Sequence, residues 1–353
     1  MNKKIGFFKL ALSFAGCFLG AGYVSGQELW QFFGSFGAAG VFGLALAVLL
    51  ISLSAVIILR LARMTGSTEI DRLMIPWELP VLRYALTALN MLLLFGICTI
   101  MSAGVGAMLE QLFGVPLWIG SAVFCAVIAV LSYAGIRGMV SAFSVSVPVL
   151  VGVTLAFGVY SAVKYGIHIP ESSGGANPLV GSWLISAVLF CCLNVFGTVG
   201  MLAPLNGHIK SERAELTGIS CGALLLIIIA FSVLTSVFAS PGYTSAELPM
   251  LALAQDMGTS VGLLFGFLLL LAMFGTALSS LVALSGLLCL KSKKLADKKL
   301  LMTAVIAVFM FGGSLFGFGG LIGTLYPLYG YLGLVFIVLM YINYFKVKKS
   351  LRT

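Results

Sequence analysis

Residues 13–28 read SFAGCFLGAGYVSGQE, an apolar stretch in which glycine recurs at positions 16, 20, 22 and 26. A helix that only anchors a protein in lipid does not need these glycines, because each costs roughly 1 kcal/mol against alanine in a helix interior. One interpretation is close helix packing, since small residues let backbones approach each other. The other is an unwound segment near Gly20 and Gly22, whose freed backbone groups face a cavity instead of lipid. We favour the unwound segment.

The rest of the chain has the composition of a membrane protein. Of its 353 residues, 61% are hydrophobic and 9% are charged, whereas soluble domains carry about 25% charged residues. Apolar runs of ~20 residues, long enough to cross a ~30 Å hydrocarbon core, follow one another along the chain. We predict an all-α polytopic membrane protein of ten transmembrane helices, without a soluble domain. The predicted spans are 8–33, 38–64, 80–112, 117–135, 140–163, 180–206, 214–239, 258–290, 300–318 and 321–345.

The positions of the basic residues predict the orientation of these helices. If the N-terminus is cytoplasmic, Lys164 alone of the 20 lysines and arginines falls in an outer segment. Basic residues of membrane proteins accumulate in cytoplasmic loops, so both termini are predicted to be cytoplasmic. The same placement explains the net charge of +9 without a nucleic-acid partner. The expected partners are the lipid bilayer and a small-molecule solute, and the sequence indicates no oligomeric state.

A loop-like stretch, residues 168–179, divides the chain, because it is rich in proline, glycine and serine. We predict a first five-helix half over residues 1–167, an outer linker over 168–179 and a second five-helix half over 180–353. Residues 240–257 are apolar enough to form a short helix over the outer face.

The first helix of the second half has weak points of its own, namely Asn194, Gly197, Thr198, Gly200 and Pro204. Interrupted helices at corresponding positions of two halves indicate a transporter binding site. We therefore predict that helix six, like helix one, is interrupted, with a substrate pocket between the two interruptions. The predicted pocket residues are Gly20, Ala21, Gly22, Asn194, Gly197 and Thr198.

The run GAGYVSGQE at 20–28, together with ELPM at 247–250, resembles the YkvI-type bacterial membrane proteins. More distantly, the ten-helix plan with interrupted helices one and six resembles the LeuT-like five-plus-five inverted repeat of the amino acid–polyamine–organocation superfamily. The resemblance implies a multi-pass protein of the bacterial cell (inner) membrane and transport by alternating access.

The LeuT-like resemblance also implies an ion site. In sodium-coupled members, carbonyls of helix one and hydroxyls of helix eight bind one cation, and hard cations prefer such oxygen ligands. Alternatively, the hydroxyls only bond to neighbouring helices. Helix five lacks the central lysine of some proton-coupled relatives, which favours sodium, and we expect no other metal and no cofactor. The matching positions are the carbonyls of Gly16, Leu19 and Thr276 and the hydroxyls of Ser279 and Ser280.

Glu28, in the outer half of helix one, and Glu110, near the outer end of helix three, are the carboxylates that we place within the membrane. Intramembrane acids are costly and usually face a cavity or a partner, so each is a candidate gate residue or proton carrier. The alternative is an interfacial acid wetted by water at the lipid headgroups. Proton coupling through Glu28 is therefore the alternative to sodium coupling.

These observations predict a secondary active transporter rather than an enzyme. The spans lack mid-membrane lysine and arginine, which favours a small zwitterionic, neutral or cationic solute, amino-acid-like in size. Intramembrane group transferases need acidic clusters such as DxxxD or DDxxD for magnesium, and the chain has neither. We predict a sodium-coupled symporter, with a non-transporting channel or sensor as the remaining alternative.

Overall fold

The computed structural model describes residues 6–77, 79–134, 139–169, 171–172, 175, 177–239, 241–291 and 297–351, with side chains for all of these except 133–147, 241, 290 and 291. These residues are mostly helical and form no β-strand, which confirms the all-α class. Seven of their helices are long and apolar enough to cross a membrane, and three shorter apolar helices stand at predicted spans one, four and nine. The count of ten spans and the five-plus-five repeat stay predictions. Parts of the predicted linker lie outside the described residues, as do the basic residues Lys3, Lys4, Arg137, Lys293, Lys294 and Arg352.

The first span is built from three short helices: α1 (Phe7–Phe18), α2 (Ala21–Ser25) and α3 (Gln27–Phe32). Gly26 joins α2 to α3 with a φ of 88°, a left-handed conformation that glycine adopts without a Cβ clash. A 3-10 turn over Gly34–Phe36 then leads into the second span. The first span therefore changes direction twice.

Longer helices form the rest of the bundle. The first half continues with α4 (Ala38–Thr65), α5 (Ile70–Met74), α6 (Pro80–Phe113), α7 (Leu117–Ala134) and α8 (Met139–Tyr165). After a 3-10 turn (Pro178–Val180), the second half contains α9 (Trp183–Leu202), a 3-10 turn (Ala203–His208), α10 (Glu212–Val237), α11 (Pro241–Thr244), α12 (Pro249–Met257), α13 (Thr259–Lys291), α14 (Lys299–Ser314) and α15 (Phe318–Ser350). The short helices α11 and α12 form where the sequence predicts a helical segment at 240–257.

Packing brings the first, third, sixth, eighth and tenth spans around one central space. α6 packs against α13, α1 packs mainly against α10, and α9 lies between α4 and α15. A Cβ on Gly330 would lie 2.7 Å from the Leu189 carbonyl oxygen, so glycine is what lets α15 touch the backbone of α9. α9 is therefore packed closely on two sides and forms one wall of the central space.

An ion-pair cluster joins the end of α4 to the start of α10. Arg63 binds Glu215, whose side chain is fully buried, and its Nη1 lies 3.2 Å from Oε1 of Glu212. Arg60 Nε lies 3.9 Å from the same Glu215 carboxylate. A buried carboxylate is tolerated only when it is paired, so these arginines hold two helices together as well as contributing to the charge pattern of the loops.

Candidate functional site: a cavity beside the broken first span

The chain is extended at Gly20, where φ is −83° and ψ is 170°. The Gly20 amide donates to the Phe18 carbonyl at 2.9 Å, instead of to Gly16 as a continuous helix would require. The Tyr23 amide likewise donates to Gly20 at 3.1 Å and not to Leu19. The predicted unwound segment is confirmed, and it releases the carbonyls of Gly16 and Leu19 from their helical bonds.

The prediction that helix six is interrupted is wrong. α9 runs without a break over Trp183–Leu202 and changes only at Ala203, where a 3-10 turn begins. Its polar side chains are satisfied by its own backbone, because Asn194 Nδ2 donates to the Phe190 carbonyl at 2.9 Å and Thr198 Oγ1 donates to the Asn194 carbonyl at 2.8 Å. Packing between α4 and α15 also outweighs the low helix propensity of its glycines.

A cavity of about 640 Å³ lies between α1–α3, α6, α9, α13 and α15. Its volume falls within the range of small-molecule sites. All the residues predicted for the substrate pocket and for the ion site line it. These are Gly16, Leu19, Gly20, Ala21, Gly22, Asn194, Gly197, Thr198, Thr276, Ser279 and Ser280. Parts of the chain that are far apart in sequence therefore share one space.

The residues predicted for the ion site belong to α13 and to the break after α1. Thr276, Ser279 and Ser280 share one face of α13 by their i, i+3, i+4 spacing. Ser279 is exposed, and its Oγ donates to the Thr276 carbonyl at 3.1 Å. With the released carbonyls of Gly16 and Leu19, they offer neutral oxygen donors, which suit a hard cation of low charge. The described residues contain no cluster of three or more His, Cys, Asp or Glu that could hold a metal ion.

Glu28 on α3 is the acid that reaches the cavity. Its side chain is 6% exposed, and Asn194 lies within hydrogen-bonding reach of its carboxylate. A Cβ on Gly22 would lie 2.7 Å from Glu28 Oε2, so the carboxylate fills the space that this glycine leaves open. Tyr326 on α15 lines the same space. Glu110, in contrast, is exposed near the end of α6 and outside the cavity lining, so the geometry does not support it as a gate residue or proton carrier beside Glu28.

The contributions of α6 and α15 to the cavity were not predicted from the sequence. α15 supplies Tyr326, and α6 supplies Asn90, Leu93, Leu94, Ile97 and Met101. Asn90 could have been found, because it is a lone amide in the apolar middle of its span. The aliphatic residues could not, because in sequence an apolar side chain beside a cavity looks the same as one that faces lipid.

The lining of the cavity extends toward one end of the bundle, and an aromatic cluster lies in the other direction. It reaches Met201 near the end of α9, a residue that is 58% exposed. In the other direction, Phe190 packs against the rings of Phe32 and Phe33 with centroid distances of 5.3 and 5.0 Å, and all three side chains are buried. This aromatic seal lies beyond the lining on the predicted outer side, whereas Met201 lies on the predicted cytoplasmic side.

A hydrogen bond at the start of α15 joins the segment before α12 to the tenth span. Glu247 Oε2 accepts from the Gly319 amide at 2.5 Å, a favourable place for a carboxylate because the N-terminus of a helix carries partial positive charge. Gln27 is buried against the same turn. Glu247 of the ELPM run thus ties the α11–α12 segment to the bundle.

Comparisons with known proteins agree with this architecture. No family model matches the chain. The chain is 26% identical over 339 residues to the membrane protein YkvI of Bacillus subtilis (strain 168), covering 93% of each sequence. It is 28% identical over 336 residues to YyaD of the same organism, covering 94% of each.

Solved structures show the same fold at lower identity. The inward-facing conformation of Mhp1 matches with a TM-score of 0.59 at 18% identity, covering 96% of this chain and 78% of Mhp1. A closed conformation of Mhp1, a nucleobase-cation-symport-1 family transporter with bromovinylhydantoin bound, matches with a TM-score of 0.57 at 19% identity, covering 93% and 75%. The chain is therefore a multi-pass membrane protein that resembles the YkvI-type bacterial membrane proteins along nearly its whole length and has a LeuT-like fold.

Proposed function

We propose that this chain is a secondary active transporter that binds a small zwitterionic, neutral or cationic solute of amino-acid size in the central cavity. The observation that carries the proposal is the break between α1 and α2, which turns bare backbone toward a cavity of about 640 Å³. Irregular backbone at membrane depth is tolerated only where it is buried in protein or lines a cavity. The likeness to Mhp1, itself a transporter, supports the same class.

Alternating access follows from how the two sides of the cavity are built. The extended Gly20 is a joint at which α1 can tilt independently of α2. Opening the predicted outer end requires the seal of Phe32, Phe33 and Phe190 to separate. Closing the other end requires α1 to approach α13, while α9 keeps its place between α4 and α15.

Sodium is the proposed coupling ion. Bound between the carbonyls of Gly16 and Leu19 and the hydroxyls of Ser279 and Ser280, it would hold α1 against α13. A ligand that binds one conformation more tightly shifts the population toward it, so sodium would favour the arrangement in which these two helices are close. This linkage would make solute binding depend on sodium.

Proton coupling through Glu28 is the second candidate, and a specific observation favours it. The Glu28 carboxylate is buried at the cavity wall, where intramembrane acids of transporters carry protons. A passive channel or a sensor would not accumulate a solute against its gradient. Uptake under an imposed sodium or proton gradient therefore distinguishes sodium coupling, proton coupling and a channel or sensor.

The test is uptake by purified protein in liposomes, with a panel of zwitterionic, neutral and cationic solutes under an imposed sodium or proton gradient. We expect at least one solute to accumulate against its own gradient when sodium is high outside, and the accumulation to collapse with a sodium ionophore. Accumulation that follows only the proton gradient would replace sodium by the proton. Equilibration without accumulation under either gradient would contradict coupled transport.

The ten-span topology with both termini in the cytoplasm belongs to the same proposal. It predicts that a reporter that works only in the cytoplasm is active when it is fused after residue 353. A reporter that works only outside the cytoplasm is expected to be active when it is inserted in the 168–179 segment. The opposite pattern at either site would contradict the proposed topology.

A further inference from the structure

The lining of the cavity contains one acidic side chain and no basic partner for it. Glu28 is its single carboxylate, and no lysine, arginine or histidine lies among the described lining residues. The ion pairs in the described part of the chain do not include Glu28. A buried carboxylate without a cation is costly, so the ionised group needs a positive partner that the protein itself does not provide.

The polar neighbour of this carboxylate is neutral and does not compensate its charge. The Asn194 side chain lies within hydrogen-bonding reach of Glu28, and the same amide donates to the Phe190 carbonyl. An amide can donate to a carboxylate but carries no charge that would compensate it. The charge is left for a partner that enters the cavity.

We propose that Glu28 binds the positively charged head of the transported solute, and that this solute is an organic amine with an apolar body and no carboxylate. The inference rests on the proposed transport function and deepens it by choosing the cationic solutes among those the cavity could take.

The apolar body of the solute is inferred from the wall of the cavity that α6 forms. Leu93, Leu94, Ile97 and Met101 line that side of the cavity with apolar groups that cannot replace the water around a polar solute. Tyr326 supplies an aromatic ring in the same space, and aromatic faces attract ammonium groups. A primary amine on an aliphatic or aromatic body fits such a lining.

The absence of a carboxylate on the solute is inferred from the position of Glu28 against α2. Its Oε2 lies 2.7 Å from where a Cβ of Gly22 would be, so the first turn of α2 already faces a carboxylate. A carboxylate of an amino acid placed at that turn would meet a like charge, and like charges placed together in a site of low dielectric repel strongly. The geometry therefore favours an amine over an amino acid.

The test uses three solutes that share an aromatic body and differ in their charged groups: phenethylamine, phenylalanine and 3-phenylpropionate. In liposomes with purified protein, we expect gradient-driven accumulation of phenethylamine and little of the other two. Glu28→Gln, which keeps the shape and removes the charge, should raise the half-saturation concentration for phenethylamine at least roughly tenfold. Glu28→Asp should give an intermediate value. Glu171→Gln, an exposed acid outside the cavity, is the matched control and should leave it unchanged.

A second readout does not depend on transport. Cys17 lines the cavity, so bound phenethylamine should slow its labelling by a thiol reagent. Glu28→Gln should remove the protection at Cys17. Size-exclusion chromatography of each variant checks that the fold is retained.

The outcomes separate this inference from the transport proposal. Accumulation of phenylalanine or 3-phenylpropionate in preference to the amine would overturn the amine assignment and leave transport standing. Protection of Cys17 that persists in Glu28→Gln, with loss of proton-driven uptake alone, would make Glu28 a proton carrier and overturn its role in binding. If the three solutes neither accumulate nor protect Cys17, the amine assignment fails, and the broader solute panel decides transport on its own.

Discussion

The first and sixth spans both line the cavity and both contain glycine, yet the backbone of the first is interrupted and that of the sixth is continuously helical. The first is extended at Gly20 and bent again at Gly26, whereas α9 is helical from Trp183 to Leu202. In α9, Asn194 and Thr198 return their side-chain donors to carbonyls of the same helix. Around Gly20, neighbouring Leu19 and Ala21 have no side-chain donor to offer. The contrast shows that glycine alone does not break a transmembrane helix. The break at Gly20 therefore lies opposite a continuous helix, α9.

The largest expected effect comes from filling the joint. A Cβ on Gly20 would meet nothing within 4 Å, and its φ of −83° suits any residue, so Gly20→Leu should fold normally with its side chain in the cavity. We expect gradient-driven uptake to fall to the level of empty liposomes. Gly312→Leu on α14, which also has open space around it but lies outside the cavity lining, is the control and should transport normally. Normal uptake by Gly20→Leu would show that the solute does not pass this break.

A smaller change beside the joint should act through Glu28. Gly22→Ala places a methyl group 2.7 Å from the present position of Glu28 Oε2, so the carboxylate must move. Overpacking of this kind costs on the order of 1–3 kcal/mol, and we expect roughly a tenfold loss of apparent solute affinity. Gly20→Ala, where the methyl group meets open space, is the matched control in the same uptake assay. Equal affinities of the two variants would show that the position of Glu28 does not matter for binding.

The carbonyls released by the break should act together with α13. Ser279→Ala removes one proposed ligand of the ion, at about 1 kcal/mol, and should raise the sodium concentration for half-maximal uptake roughly fivefold. Ser285→Ala is the control, because Ser285 makes the same type of bond to the carbonyl three residues earlier and lies outside the cavity lining. A sodium dependence that is the same in both variants would argue against the proposed ion site.

The smallest effect on uptake is expected from a substitution in α9. In the continuous α9, a Cβ on Gly197 would lie 3.8 Å from Leu93, an ordinary contact. Gly197→Ala should therefore raise the free energy of unfolding by up to roughly 1 kcal/mol, because glycine destabilises a helix interior, and should leave uptake nearly unchanged. Thermal unfolding in detergent and liposome uptake measure the two quantities, with Gly312→Ala as a control outside the cavity. A large loss of uptake would show that α9 unwinds during the transport cycle and would remove the contrast between the two spans.

The two helices also show which residues of the site could be predicted from the sequence and which could not. The glycines of residues 13–28 and the spacing of Thr276, Ser279 and Ser280 were sufficient to choose residues that share a cavity. The prediction for helix six was wrong because the sequence does not show whether asparagine and threonine side chains bond to carbonyls of their own helix. In α9 they do, and the helix stays continuous. It also missed Tyr326, whose proximity to Glu28 depends on how the tenth span crosses the first.

The sequence by itself determined that this protein lies in a membrane as a bundle of apolar helices, because the length of a hydrophobic run is a property of one helix. Its glycines indicated where a span could be interrupted, but not which of the two spans would be. Tertiary structure decided that the first span breaks at Gly20 while α9 stays continuous, that Glu28 and not Glu110 faces the cavity, and that Phe32, Phe33 and Phe190 pack together beyond its lining. The physical reason is that lipid and a neighbouring helix are equally apolar, so composition cannot say which face of a span meets which. Contacts between distant helices decide that choice.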